Sequence, residues 1–162
     1  MKKKPFISII TPTLNDKKNL KKLISNLSKQ SFKNFEHIIA DGGSTDGTIK
    51  FLKKINKVDK ILISKDLNMY RGINNALKRC KGEVIGYINS DDLYKDKEYF
   101  AKIHDAFFQK KIDCIYSGYQ VKNLDNDKLK CYVPLKFKSR HLVTLGMPFC
   151  QHTFFWNKKF KN

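Results

Sequence analysis

Five short apolar runs alternate with segments whose apolar residues recur at helical spacing. The runs occupy positions 6–11, 35–40, 60–64, 84–89 and 114–119. Between the first two, the helical pattern is carried by Leu20, Leu23, Ile24 and Leu27, and similar patterns cover 49–55, 69–80 and 99–110. Strands that alternate with helices of this length predict right-handed βαβ units. We therefore expect an α/β fold with an open, mainly parallel sheet flanked by helices.

The rhythm changes after position 119. A polar turn at 123–128 separates two short strand-like pieces, positions 138–145 have the pattern of a short helix, and positions 151–157 that of a strand. There is no repeat and no linker, and 162 residues suit a single domain. No stretch reaches the roughly 20 apolar residues that span a membrane.

Polar clusters follow four of the predicted strands. They lie at positions 11–15, 41–47, 65–66 and 89–92. In open α/β sheets, ligands bind outside the carboxyl ends of the strands. Four clusters at one edge therefore predict a binding site there.

The cluster at 89–92 holds two adjacent carboxylates, Asp91 and Asp92, after Asn89 and Ser90. Carboxylates at the end of a buried strand stay charged at low cost only when a cation neutralises them. Hard divalent metals bridge carboxylates to phosphates, so a metal and diphosphate site is one interpretation. The alternative is a solvated turn in which Asp92 caps the next helix.

The other clusters suit a nucleotide. Thr11, Pro12 and Thr13 offer hydroxyls and backbone N–H groups to a base or ribose, or else cap a helix. Asp41 has acceptors for a pyrimidine N–H or ribose hydroxyls, and Gly43 permits close backbone approach. Neither a Walker loop nor a GxGxxG fingerprint is present.

The net charge of the chain indicates which classes of binding partner are favoured. The net charge is +18, which favours anionic partners such as nucleotides, nucleic acid or a membrane surface, although lysines this widely spread also fit a solvated surface. Nucleic acid is the least favoured partner, because carboxylates at the ligand edge repel phosphates without a metal. Four widely separated cysteines, with no CxxC spacing, argue against a zinc ribbon or a small disulfide scaffold and fit reduced thiols in the cytoplasm.

Three segments together carry a family resemblance. SIITPTLN at 8–15, HIIADGGSTDGT at 37–48 and GEVIGYINSDD at 82–92 resemble, in order and spacing, the motifs of family 2 glycosyltransferases. These are inverting enzymes of the GT-A fold that use nucleotide-sugar donors. The resemblance is specific over about residues 6–94 and weaker beyond.

The resemblance implies a role for each cluster. Thr11, Thr13 and Asn15 would line the nucleotide pocket, and Asp41 and Asp66 would contact the nucleoside of a UDP-sugar. Asp91 would bind Mg²⁺ or Mn²⁺ with Asp92 as a second ligand or a support. The donor-binding set implied in this way is Thr11, Pro12, Thr13, Asn15, Asp41, Gly43, Asp66, Arg71, Asn89 and Ser90.

Three departures from the family pattern concern chemistry. Arg71 stands where the related subtype has a carboxylate. The guanidinium of Arg71 would pair with a phosphate or make a surface ion pair. The order Gln151-His152 reverses the usual His-Gln. No carboxylate follows Asp127, so the general base of an inverting transfer is expected beyond Asn162, with His152 as a weak candidate.

The resulting expectation is one GT-A-type domain, with a donor-binding half at 1–94 and the start of an acceptor-side half at 95–162. It would transfer a hexosyl or N-acetylhexosaminyl group to a glycan or lipid-linked acceptor in bacterial surface polysaccharide synthesis. The expected location is the cytoplasm, with peripheral contact to the anionic inner face of the membrane. The alternative is a non-catalytic domain that binds nucleotide-sugar without turnover.

Overall fold

The computed structural model describes residues 4–64, 68–123, 126–133 and 150–160. Its strands are β1 to β8 and its α-helices α1 to α4, in chain order. The first half of the order is β1 (Ile7–Thr13), α1 (Lys17–Ser28), β2 (Phe35–Asp41), α2 (Thr48–Leu52), β3 (Lys60–Ile63), α3 (Met69–Leu77) and β4 (Val84–Tyr87). The second half is α4 (Tyr99–Lys110), β5 (Cys114–Ile115), β6 (Tyr119–Lys122), β7 (Leu129–Tyr132) and β8 (Phe155–Asn157).

The main sheet has six strands in the order β3-β2-β1-β4-β8-β5. The four strands β3, β2, β1 and β4 run parallel, as the alternating pattern predicts. β8 is antiparallel to both of its neighbours. The expected open and mainly parallel α/β sheet is therefore confirmed.

The helices cover both faces of this sheet because each has one apolar stripe. Leu20 and Ile24 of α1 pack with Leu52 of α2 in one buried cluster. Leu23 of α1 shares another cluster with Phe100 of α4. The opposite face is covered by α3, whose apolar residues pack on β1, β2 and β4. All seven residues of β1 are buried between these layers.

The later part of the chain differs from the sequence prediction in two places. The strand expected at 114–119 ends at Ile115, and a separate hairpin of β6 and β7 follows. The strand expected at 151–157 begins with a 3₁₀ turn, Gln151–Thr153, and only Phe155–Asn157 is extended. The short helix expected at 138–145 lies outside the described residues.

None of the helices within the described ranges combines the length and the apolar character required to cross a bilayer.

Candidate donor-binding cleft

A cleft of about 1080 Å³ opens where β1, β2 and β4 end. That volume is slightly above the roughly 300–1,000 Å³ of small-molecule sites. It also extends along β3 and one side of α3. The residues that line it are Pro12, Thr13, Leu14, Asp16, Ala40, Asp41, Gly42, Ile61, Leu62, Ile63, Ser64, Asn68, Met69, Gly72, Asn75, Lys78, Arg79, Asn89, Ser90 and Asp91.

Asp41 closes the loop after β2. Its Oδ1 accepts hydrogen bonds from the backbone N–H groups of Gly43 (2.8 Å) and Ser44 (2.7 Å). Its Oδ2 accepts one from the Ser44 hydroxyl at 2.7 Å. A carboxylate has about four acceptor positions, so capacity for a ligand remains. Asp41 is only 2% exposed, so it meets the cleft through a small part of its surface.

The loop after β4 brings Asp91 to the same cleft. Ser90 donates its hydroxyl to Asp16 Oδ2 at 2.6 Å, which ties this loop to the start of α1. Asp91 is exposed and lines the cleft. Asp92 is half-buried and faces His152, whose Nδ1 lies 2.9 Å from Asp92 Oδ2.

The structure brings half of the predicted site residues that it describes together at the cleft. Those that line the cleft are Pro12, Thr13, Asp41, Asn89, Ser90 and Asp91. Those that do not are Thr11, Asn15, Gly43, Arg71, Asp92 and His152. Asp66 lies outside the described residues.

Three of the residues that do not line the cleft lie elsewhere for identifiable reasons. Thr11 is completely buried, and its hydroxyl is 3.0 Å from Nε2 of His37 in the core. Asn15 accepts a hydrogen bond from the backbone N–H of Thr45 at 2.7 Å and so holds the loop after β2. Arg71 is exposed on α3, on a different side from the stripe that faces the cleft.

Sequence reasoning missed the side of α3 that lines the cleft. Asn68, Gly72, Asn75 and Arg79 recur at spacings of three and four residues, which places them on one helical stripe. The apolar stripe of the same helix contains Ile73, Ala76 and Leu77. The sequence therefore did contain a signal for this side of the cleft, namely a second stripe on α3 that lies apart from the apolar one. Asp16, at the start of α1, was also missed.

The donor atoms at the cleft suit a hard divalent cation. Asp91 lines the cleft with its carboxylate, whereas Asp92 does not line it, and the buried Oδ2 of Asp92 lies 2.9 Å from Nδ1 of His152. Mg²⁺ is commonly held by one or two carboxylates together with substrate phosphates. Among the described residues no group of three or more His, Cys, Asp or Glu side chains converges to hold a metal ion.

Comparison with known proteins identifies the family. The family model of Glycosyl transferase family 2 matches residues 8–162. The chain is 27% identical over 134 residues to the putative teichuronic acid biosynthesis glycosyltransferase TuaG of Bacillus subtilis, a match that covers 80% of this chain and 53% of TuaG. It is 33% identical over 122 residues to the Escherichia coli UDP-Glc:alpha-D-GlcNAc-diphosphoundecaprenol beta-1,3-glucosyltransferase WfaP, covering 72% of this chain and 47% of WfaP.

A solved structure agrees with the fold. Residues 1–349 of Staphylococcus aureus TarS in complex with UDP superpose with a TM-score of 0.71 at 25% identity, covering 94% of this chain and 47% of that one. This confirms the expected GT-A fold. The chain spans about half the length of the curated relatives it matches. With a family match over nearly all its residues, the chain belongs to glycosyl transferase family 2.

Proposed function

We propose that the chain binds a UDP-sugar in this cleft and transfers a hexosyl or N-acetylhexosaminyl group, with inversion, to a glycan or lipid-linked acceptor. The setting is bacterial surface polysaccharide synthesis in the cytoplasm. Relatives support this: WfaP is named as a glucosyltransferase that uses UDP-Glc and a diphosphoundecaprenol-linked acceptor, and TarS as a poly(ribitol-phosphate) beta-N-acetylglucosaminyltransferase.

One observation carries the proposal. Asp41 is the last residue of β2 and Asp91 follows β4, and both line a single cleft with Thr13 of β1. All its lining residues lie between positions 12 and 91. This supports a donor-binding half at 1–94, with 95–162 as the start of the acceptor side.

Each region of the cleft has its own part in donor binding. Asp41, Pro12 and Thr13 hold the uridine, and Asn89 and Ser90 place the diphosphate beside Asp91. Asp91 would hold a Mg²⁺ or Mn²⁺ ion, whose positive charge would stabilise the diphosphate leaving group. Inversion requires the acceptor hydroxyl to attack the sugar from the side opposite the diphosphate.

Isothermal titration of UDP with and without MnCl₂ tests the proposal. We expect wild-type protein to bind UDP more tightly with Mn²⁺, and Asp91→Ala to lose most of that gain. Asp105→Ala is the matched control, because Asp105 is an exposed residue of α4 that does not line the cleft. Absence of UDP binding by the wild type, or unchanged Mn²⁺ dependence in Asp91→Ala, would refute the proposal.

A second candidate is a domain that binds the donor without turnover. Turnover requires a general base, and two of the carboxylates that line the cleft are already engaged. Asp41 accepts three hydrogen bonds, and Asp16 accepts one from Ser90. Incubation with UDP-glucose or UDP-N-acetylglucosamine and Mn²⁺ distinguishes the two candidates. Release of free sugar or of UDP eliminates the non-catalytic one.

We also propose peripheral contact with an anionic membrane through one surface, the lysine face. It consists of exposed lysines on or next to two neighbouring helices: Lys18, Lys21, Lys22 and Lys29 at α1, and Lys50, Lys53, Lys54 and Lys57 at α2. The helices adjoin, since Lys21 Nζ lies 5.2 Å from the ring centroid of Phe51. Positions 17–35 and 47–58 contain no acidic residue.

A further inference from the structure

His152 links the C-terminal strand to the loop that carries Asp91. β8 pairs with β4, with Ile85 opposite Trp156. The 3₁₀ turn just before β8 holds His152 beside that loop. Its Nδ1 lies 2.9 Å from Asp92 Oδ2, and its Nε2 lies 2.8 Å from Asn89 Nδ2. The two residues that flank Ser90 and Asp91 are therefore both held by one imidazole ring.

The hydrogen bonds around the ring have a consistent direction. Tyr87 donates its hydroxyl to Asn89 Oδ1 at 2.6 Å, which turns the amide nitrogen of Asn89 toward His152. Burial, together with the negative charge of Asp92, raises the pKa of Tyr87, so the hydroxyl remains a donor. Nε2 of His152 then accepts from Asn89, and Nδ1 carries the proton that faces Asp92.

The contact between His152 and Asp92 has a short distance but an imperfect angle. Asp92 Oδ2 has no partner that meets full hydrogen-bond geometry, although Nδ1 is only 2.9 Å away. The 2.9 Å separation supports a hydrogen bond between the two residues, because a small rotation of the ring aligns the N–H with the oxygen. The Sγ of Cys150, 3.3 Å from the same nitrogen, competes for this proton as a weaker acceptor.

We propose that His152 is a positioning residue of the diphosphate site. It holds Asn89 and Asp92 so that Asp91, between them, projects into the cleft. Asp92 thus anchors the loop while Asp91 faces the ligand. Both ring nitrogens of His152 are engaged and the residue does not line the cleft, which distinguishes this role from that of a general base. The inference rests on the proposed function.

A purely packing role makes a different prediction. The His152 ring lies 5.7 Å from the Tyr87 ring between centroids, so a phenylalanine of similar shape would replace it if packing were all it contributed. Positioning requires the two polar contacts instead. Residues that orient metal ligands typically change metal affinity by about 10- to 100-fold when they are replaced.

The test compares His152→Phe, His152→Gln and wild type in UDP titrations with and without MnCl₂. We expect His152→Phe to reduce the Mn²⁺-dependent gain in UDP affinity by about tenfold, and His152→Gln, which retains a polar group, to recover part of it. His104→Phe is the matched control. His104 also contacts a carboxylate, Asp105, at 3.0 Å, but it lies on α4 and does not line the cleft.

The outcomes separate this inference from the proposed function. If Asp91→Ala abolishes the Mn²⁺-dependent gain and His152→Phe leaves it intact, the positioning role is wrong while the donor site stands. If His152→Phe lowers UDP affinity equally with and without Mn²⁺ and also lowers the melting temperature, the role is structural and the inference is overturned. If the wild type shows no Mn²⁺-dependent gain, the metal-assisted donor site itself fails.

Discussion

His37 lies in the middle of β2 and is almost completely buried. Its Nε2 is 3.0 Å from the Thr11 hydroxyl, while Nδ1 has no hydrogen-bond partner among the described residues. Burial lowers the pKa of His37 to about 4 from an ordinary value of 6.5. The folded protein therefore keeps this imidazole neutral at pH values where the unfolded chain protonates it.

We predict a loss of stability in mild acid from this one residue. The contribution of His37 is complete above its unfolded pKa of 6.5 and falls as the pH drops toward about 4. Between pH 7 and pH 5 it amounts to about 2 kcal/mol of unfolding free energy. Urea unfolding of wild type and His37→Gln at both pH values measures it. Parallel pH dependence in the two proteins would contradict the prediction.

Two threonines near His37 show how far the position of a single residue can be predicted from the sequence. Thr11 and Thr13 are two positions apart on β1 and point to the same side of the sheet. Thr13 ends the strand and reaches the cleft, whereas Thr11 lies deeper, beside His37. The ends of β1 to β4 were predictable from the sequence to within two residues, but that margin decides whether a hydroxyl meets a ligand or the core.

At the scale of elements, Gly86 allows β8 to pack against β4. A Cβ atom at Gly86 would lie 2.4 Å from Cε1 of Phe155, whose ring is completely buried. Phe155 stands directly opposite Gly86 in the antiparallel pair. The space left by the missing side chain is therefore filled by the ring of the neighbouring strand.

We predict that Gly86→Ala destabilises the fold by about 1–3 kcal/mol, the usual cost of overpacking a core. Gly72→Ala is the control, because its added methyl would meet only the Ala40 Cβ, at an ordinary 3.5 Å. Because alanine favours the helix more than glycine does, we expect Gly72→Ala to leave the free energy of unfolding unchanged or to raise it by up to about 1 kcal/mol. Urea unfolding measures both variants. Equal stability of Gly86→Ala and wild type would show that β8 does not depend on this contact.

Elements differ in how far the sequence determines them. α1 and α4 combine long apolar stripes with polar surroundings, and both were predicted close to their observed bounds. The pairing of β8 was not predictable, since three residues carry little pattern and their partners lie about 70 positions earlier. That long-range pairing is what brings His152 to the loop after β4.

At the scale of the whole molecule, the alternation of strands and helices was enough to predict the sheet and the edge at which ligands bind. Asp41 and Asp91 meet there because parallel strands end together, a consequence of topology. The extent of the cleft was harder to predict from the sequence. It runs along α3 and reaches Arg79, just past the end of that helix, and depends on how the helix packs.

The distribution of charge leads to a prediction about membranes. Replacement of four residues of the lysine face, in the variant K18Q/K22Q/K50Q/K53Q, removes four charges from one surface. Each lysine near an anionic bilayer contributes about 1 kcal/mol, so binding to phosphatidylserine-containing vesicles should fall by at least about 100-fold at physiological salt. Co-sedimentation with such vesicles, and with neutral phosphatidylcholine vesicles, measures this loss.

The control variant K95Q/K97Q/K128Q/K130Q has the same net charge but changes exposed lysines outside α1 and α2. A localised docking surface leaves its vesicle binding within a few-fold of wild type, because charges more than about 8 Å from the bilayer are largely screened at physiological salt. Equal losses in the two variants would show that only the net charge matters. Retention unaffected by salt would exclude an electrostatic surface, and binding to oligonucleotides in place of vesicles would reassign the lysine face to nucleic acid.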